Sequence, residues 1–130
     1  MLKELLGPQK VLWHGTAYPN GSQTLSLSEP VSEQDNGIVL VWSSYNPGSG
    51  GSAGQAVDYG WCTDFIPKSA VPLAGDGKGW ELVHIREGSG VVYKYVYVSD
   101  TQVKGNDANG NASFNGMDNR QKVLRYILGV

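Results

Sequence analysis

Val91–Val98 reads VVYKYVYV, and residues 80–87, just before the Gly88-Ser89-Gly90 link, read WELVHIRE. Alternate side chains of a strand share a face. Tyr93, Tyr95 and Tyr97 therefore line up with Val91, while Val92, Lys94, Val96 and Val98 share the other side. One face is mostly aliphatic and the other aromatic with polar tips. The short link makes the two stretches partners in an antiparallel hairpin.

The same pattern extends in both directions. Residues 38–45 (IVLVWSSY) follow an Asn36-Gly37 turn and form an apolar run too short and too β-branched for a helix. They read as a central strand covered on both sides. Residues 10–14 (KVLWH), 22–28 (SQTLSLS), 55–68 (QAVDYGWCTDFIPK) and 71–73 read as further strands, and residues 101–104 as a short edge strand. The chain closes on KVLRYILGV at 122–130, a strand that must be packed to justify its ordering. Residues 47–54 (PGSGGSAG) read as a flexible loop, and 105–119, dense in Asn, Asp and Gly, as another. The expected fold is all-β: an antiparallel β-sandwich or jelly-roll-like knob with a short N-terminal helical turn.

Leu2, Leu5 and Leu6 have the spacing of one helix face, and Gly7-Pro8 ends any helix there. Residues 1–8 are thus a helical turn, either frayed or the end of a coiled-coil stalk, and residues 9–130 a β-sandwich domain. A chain of 130 residues has room for one core.

With a net charge of −2 and no Lys/Arg cluster, a nucleic-acid partner is not expected. Nor is a membrane span, since no run nears the roughly 18 apolar residues it needs. Cys62 is the only cysteine, which excludes an intramolecular disulfide and a multi-cysteine zinc site. Residues 106–111 (NDANGN) faintly resemble a calcium loop, but Met117 stands where a bidentate Glu belongs; Asx-turns explain the composition. His14 and His84 are too far apart in sequence to argue a metal site. No nucleophile elbow, phosphate loop or His-Glu-x-x-His is present. The expectation is a chain that binds or builds, with no enzyme activity, no metal and no cofactor.

Two groups of side chains are candidates for contact. Flat aromatic faces hold sugar C–H surfaces while carboxylates bond the hydroxyls, so Asp58, Tyr59, Trp61, Asp64 and Trp80 are the saccharide candidates. Core packing competes for the same aromatics. Tyr93, Tyr95 and Tyr97 have three readings: a cover for the core edge, a sugar platform, or a subunit interface, where tyrosine is enriched. With Leu2, Leu5 and Leu6 they are the oligomer-interface candidates.

Several segments are familiar together. Val11-Leu12-Trp13-x-Gly15, Asn20-Gly21-Ser22-Gln23-Thr24, Leu27-Ser28-Glu29-Pro30-Val31-Ser32 and Asn36-Gly37-Ile38-Val39-Leu40-Val41-Trp42-Ser43 come first. Asp58-Tyr59-Gly60-Trp61, Phe65-Ile66-Pro67-Lys68, Tyr97-Val98-Ser99-Asp100, Asp118-Asn119-Arg120 and Val123-Leu124-Arg125-Tyr126 follow. The set resembles the C-terminal domain of minor structural proteins in tailed phages of Gram-positive bacteria, labelled head-fibre, baseplate or receptor-binding proteins. It covers nearly everything after Pro8. The resemblance implies a β-sandwich knob, often trimeric on a stalk, located on the virion and in the host cytoplasm during assembly. Its partners would be copies of itself, other virion proteins and host cell-wall glycan. The Leu2/Leu5/Leu6 face would then be the last turn of a three-stranded coil. The alternative is a cellular carbohydrate-binding, lectin-like module.

Overall fold

The alternating stretches become nine strands among the described residues of a computed structural model, which are 10–48, 54–85 and 90–130. The helical turn expected over residues 1–8, with Leu2, Leu5 and Leu6, lies outside them, as do residues 49–53 and 86–89. The first sheet runs β1 (Lys10–Ala17), β9 (Lys122–Gly129), β3 (Gly37–Asn46). Along the far edge of β3 lie β5 (Cys62–Pro67) and then β4 (Gln55–Ala56). The second sheet runs β2 (Thr24–Ser26), β8 (Gln102–Lys104), β7 (Val91–Val98), β6 (Lys78–Ile85). Every pairing is antiparallel. The first strand pairs with the last and the second with the eighth, so the two ends of the chain wrap around each other in jelly-roll fashion.

The core lies between the sheets. Leu12, Ile38, Leu40, Trp42, Ile66, Leu124 and Ile127 meet Leu25, Leu82, Val96, Val98 and Val103. Period-two alternation drives this arrangement: each strand turns its apolar side chains one way and so removes them from water. The β6–β7 hairpin has the expected register, with Trp80 opposite Val96 and His84 opposite Val92. Lys94 goes inward with the valines and is fully buried.

Local expectations needed revision in four places. Residues 71–73 are helical, inside α1 (Ala70–Ala74). Pro72 is tolerated there because the first turn of a helix has no acceptors for its N–H groups. Residues 101–104 do not form an edge strand, because β8 lies between β2 and β7. Three residues are too few for a pattern to show that both edges are paired. The outer face of β3 is only half covered, with Val39 and Val41 part-exposed. Residues 55–68 are not one strand but β4 and β5 joined by a loop.

Candidate functional site

The loop from β4 to β5 carries the sequence-predicted cluster. Val57 N–H donates to Ser44 O (3.1 Å) and Ser44 N–H to Tyr59 O (3.0 Å), so the loop is latched to β3. Lys122, buried at the start of β9, donates to Ser44 Oγ (3.2 Å) and to Gly60 O. Gly60 sits at φ +65°, and a Cβ there would run into Ser44 Oγ. Glycine alone meets both conditions. The turn leaves Tyr59 55% and Trp61 45% exposed.

A second segment, distant in sequence, completes the surface. Val41 pairs with Tyr126 and Trp42 with Leu124, leaving Arg125 as the extra residue of a β-bulge. Tyr126 stacks beside Trp61 with centroids 6.4 Å apart and an interplanar angle of 28°. The Arg125 guanidinium lies 5.2 Å from the Trp61 ring centre, a cation–π contact. It is held there by Asp58 Oδ1 (3.1 Å) and donates to Ser43 Oγ (3.0 Å). Beside Tyr59 opens a cavity of about 440 Å³ whose wall includes Tyr45, Asn46 and Gln121. Fixed aromatics, an ion pair and side-chain amides are thus gathered in one place. Asp58, Tyr59 and Trp61 belong to it.

Asp64 and Trp80 do not. Strand parity turns Cys62, Asp64 and Ile66 of β5 inward and leaves Thr63 and Phe65 outside. Asp64 Oδ2 accepts from Trp42 Nε1–H (2.8 Å) and lies 2.7 Å from His84 Nε2. Trp80 packs against the core, and its Nε1 has no hydrogen-bond partner among the described residues. The expectation that these two share a sugar surface with Trp61 is therefore corrected. Burial alone would push the His84 imidazole down, but the Asp64 carboxylate, with Cys62 nearby, pushes it up to about 9. The pair bridges the open side of the sandwich, β5 to β6.

Lys94 is buried as well. Its Nζ donates to Asn109 O (2.7 Å) and Asn119 O (2.6 Å), and the rings of Tyr18 and Trp42 lie 5.4 and 5.6 Å away. Burial pulls it down to about 7, with Asp118 and Cys62 opposing weakly. Its inward parity was readable in VVYKYVYV; its carbonyl partners were not. Nothing local announced Arg125 and Tyr126 either.

Three side-chain oxygens of the asparagine-rich loop accept from N–H groups two residues further along the chain. Asn106 Oδ1 accepts from Ala108 N–H (2.9 Å), Asn111 Oδ1 from Ser113 N–H (2.8 Å) and Asp118 Oδ1 from Arg120 N–H (3.1 Å). These are the Asx-turns its composition implies. Among the described residues no three His, Cys, Asp or Glu side chains are grouped to hold a metal ion.

Tyr93, Tyr95 and Tyr97 lie half-buried on the outer face of the second sheet. They are on the far side of the sandwich from Trp61. No helix among the described residues is long and apolar enough to cross a membrane. The chain matches no protein-family model and no curated protein.

Proposed function

We propose that the chain is a non-catalytic attachment module of a phage virion, a trimeric β-knob that touches host cell-wall saccharide through Asp58, Tyr59 and Trp61. One observation carries the saccharide part. Trp61 is exposed yet already fixed by Tyr126, by Arg125 and by the Lys122 latch on Gly60. An aromatic that needs no ordering loses little entropy when a sugar ring arrives. The virion part rests on the sequence resemblance, which the two-sheet fold suits. Trimeric display compensates for weak single sites, because tethered sites gain avidity without new contacts.

The test is retention of the intact chain on Gram-positive cell walls and on a glycan array, with Trp61→Ala beside it. The substitution should weaken binding by about tenfold or more, equivalent to ~1.4 kcal/mol. Equal binding by the variant removes Trp61 from the site. Light scattering at tens of micromolar decides the oligomer; a strict monomer speaks against the knob.

A further inference from the structure

We propose a second saccharide site on the opposite face of the sandwich, a groove formed by Tyr95 and Tyr97 and ending in a polar cavity beside Gln102, Lys104 and Asp107. It shares its ligand class with the attachment reading and adds a site that reading does not use.

The groove follows from strand parity. Because Val92, Lys94, Val96 and Val98 fill the core, β7 must turn its three tyrosines outward. Tyr95 leans across β6 onto Gly79, where any side chain would collide with the ring. Tyr97 stands at 68° to Tyr95 with centroids 5.2 Å apart. Its hydroxyl accepts from Asn106 Nδ2 (3.1 Å), which fixes the ring. Tyr93 extends the row, stacked 5.2 Å from Phe114 at 17°. The aromatic surface is therefore set before any ligand arrives.

Beyond Tyr97 the surface drops into a cavity of about 410 Å³. That volume lies within the range of small-molecule sites, roughly 300–1,000 Å³. Gln102 offers an amide, Lys104 an ammonium and Asp107 a carboxylate; Asp107 Oδ1 already accepts from Gly21 N–H (2.8 Å). Aromatic faces next to mixed donors and acceptors match a chain of hydroxyl-bearing rings. A phosphate-rich polymer would want several cations, and here Lys104 is balanced by Asp107. A subunit contact would want the apolar surface to continue to a polar rim that stays closed to small solutes, and here the tyrosine row ends in a polar hollow.

The experiment is a ¹⁵N-NMR titration of the full chain with chitotetraose, cellotetraose and glycan strands released from Gram-positive peptidoglycan. Gln102→Ala, Tyr95→Ala and Trp61→Ala are run beside the parent, with light scattering on each. At least one probe should shift the amides of residues 95–107. Gln102→Ala, at an exposed position that needs no repacking, should weaken that response by about tenfold, and Trp61→Ala should leave it intact. Shifts confined to residues 57–61 and 125–126 overturn the groove and leave the attachment reading standing. Groove shifts with a silent Trp61 surface do the reverse. A changed oligomeric mass in Gln102→Ala or Tyr95→Ala makes this face a subunit contact and also overturns the proposal. So does the absence of groove shifts with every probe.

Discussion

Lys94 and His84 are two of the buried polar residues, and their folded pKa values move in opposite directions from the ordinary ones. The Lys94 ammonium loses water and gains only two carbonyls and two ring faces, so its folded value falls from 10.5 to about 7. From about pH 7 to 10.5 the unfolded chain therefore holds a proton that the native chain lacks, and stability rises with pH. For His84 the folded value rises from 6.5 to about 9. Its contribution is fully present below about pH 6.5 and is lost as pH climbs through 9. Between about pH 7 and 9 the two slopes oppose and the parent chain should be nearly level. Lys94→Met should expose the falling His84 slope, and His84→Gln the rising Lys94 slope, each near 1.4 kcal/mol per pH unit. Urea unfolding at several pH values between 7 and 9 reads both slopes. A Lys94→Met profile parallel to the parent's would refute the account. Both side chains were legible as inward-facing from parity alone. Neither partner was, because Asp64 lies 20 residues away and the carbonyls belong to a loop.

At the scale of elements, the decisive feature is the free edge of β7. Strand β8 pairs with β7 at Tyr97 and Val98, and among the described residues no strand lies along the edge beside Tyr93 and Tyr95. Two asparagines replace the missing ladder. Asn119 Oδ1 accepts from Tyr93 N–H (2.9 Å) and Asn109 Oδ1 from Tyr95 N–H (2.6 Å). Asn109 Nδ2 donates to Tyr95 O (2.8 Å) and Pro19 O (2.6 Å), and Asn119 Nδ2 to Ala108 O (2.6 Å). Both asparagines are fully buried. The composition of residues 105–119 announced Asx-turns, and those are present. It could not announce side chains acting as strand backbone, because that depends on where β8 stops. Asn119→Ala leaves a part-buried donor, Tyr93 N–H, and a part-buried acceptor, Ala108 O, unmet, at about 1–2 kcal/mol each. It should destabilise the chain by roughly 2–4 kcal/mol. Asn111→Ala, at an exposed Asx-turn, should cost below about 1 kcal/mol. Denaturant midpoints measure the difference, and amide exchange at Tyr93 locates it. Equal midpoints for the two variants would show that the edge is held by something else.

For the whole molecule, the strands were legible and their neighbours were not. Alternation marks which residues turn inward in β2 and β7, and apolar, β-branched runs marked β1, β3, β6 and β9 from local pattern alone. It carries no information on pairing between residues more than a hundred positions apart, such as Lys10 with Gly129. The binding surface divides the same way. Asp58, Tyr59 and Trp61 are contiguous and could be seen, whereas Arg125 and Tyr126 arrive only through the β3–β9 register. That register also decides how the chain must fold. Strand β9 lies inside its sheet, between β1 and β3, and it buries Leu124 and Ile127 completely. Val130 closes the end, its carbonyl accepting from Asn36 N–H (2.7 Å) and Gly37 N–H (3.1 Å). Deleting residues 124–130 thus removes the middle of a layer and leaves two unpaired edges facing each other. The shortened chain should show no cooperative unfolding transition and should aggregate. Deleting Val130 alone should cost only about 1–3 kcal/mol, from the backbone groups it leaves unmet. Calorimetry on the two chains separates a central strand from a peripheral one. A sharp transition in the longer deletion would mean that β1 and β3 can close the sheet without β9. Because the pairings that close this sheet join distant parts of the chain, folding should be slow for its size, in milliseconds to seconds.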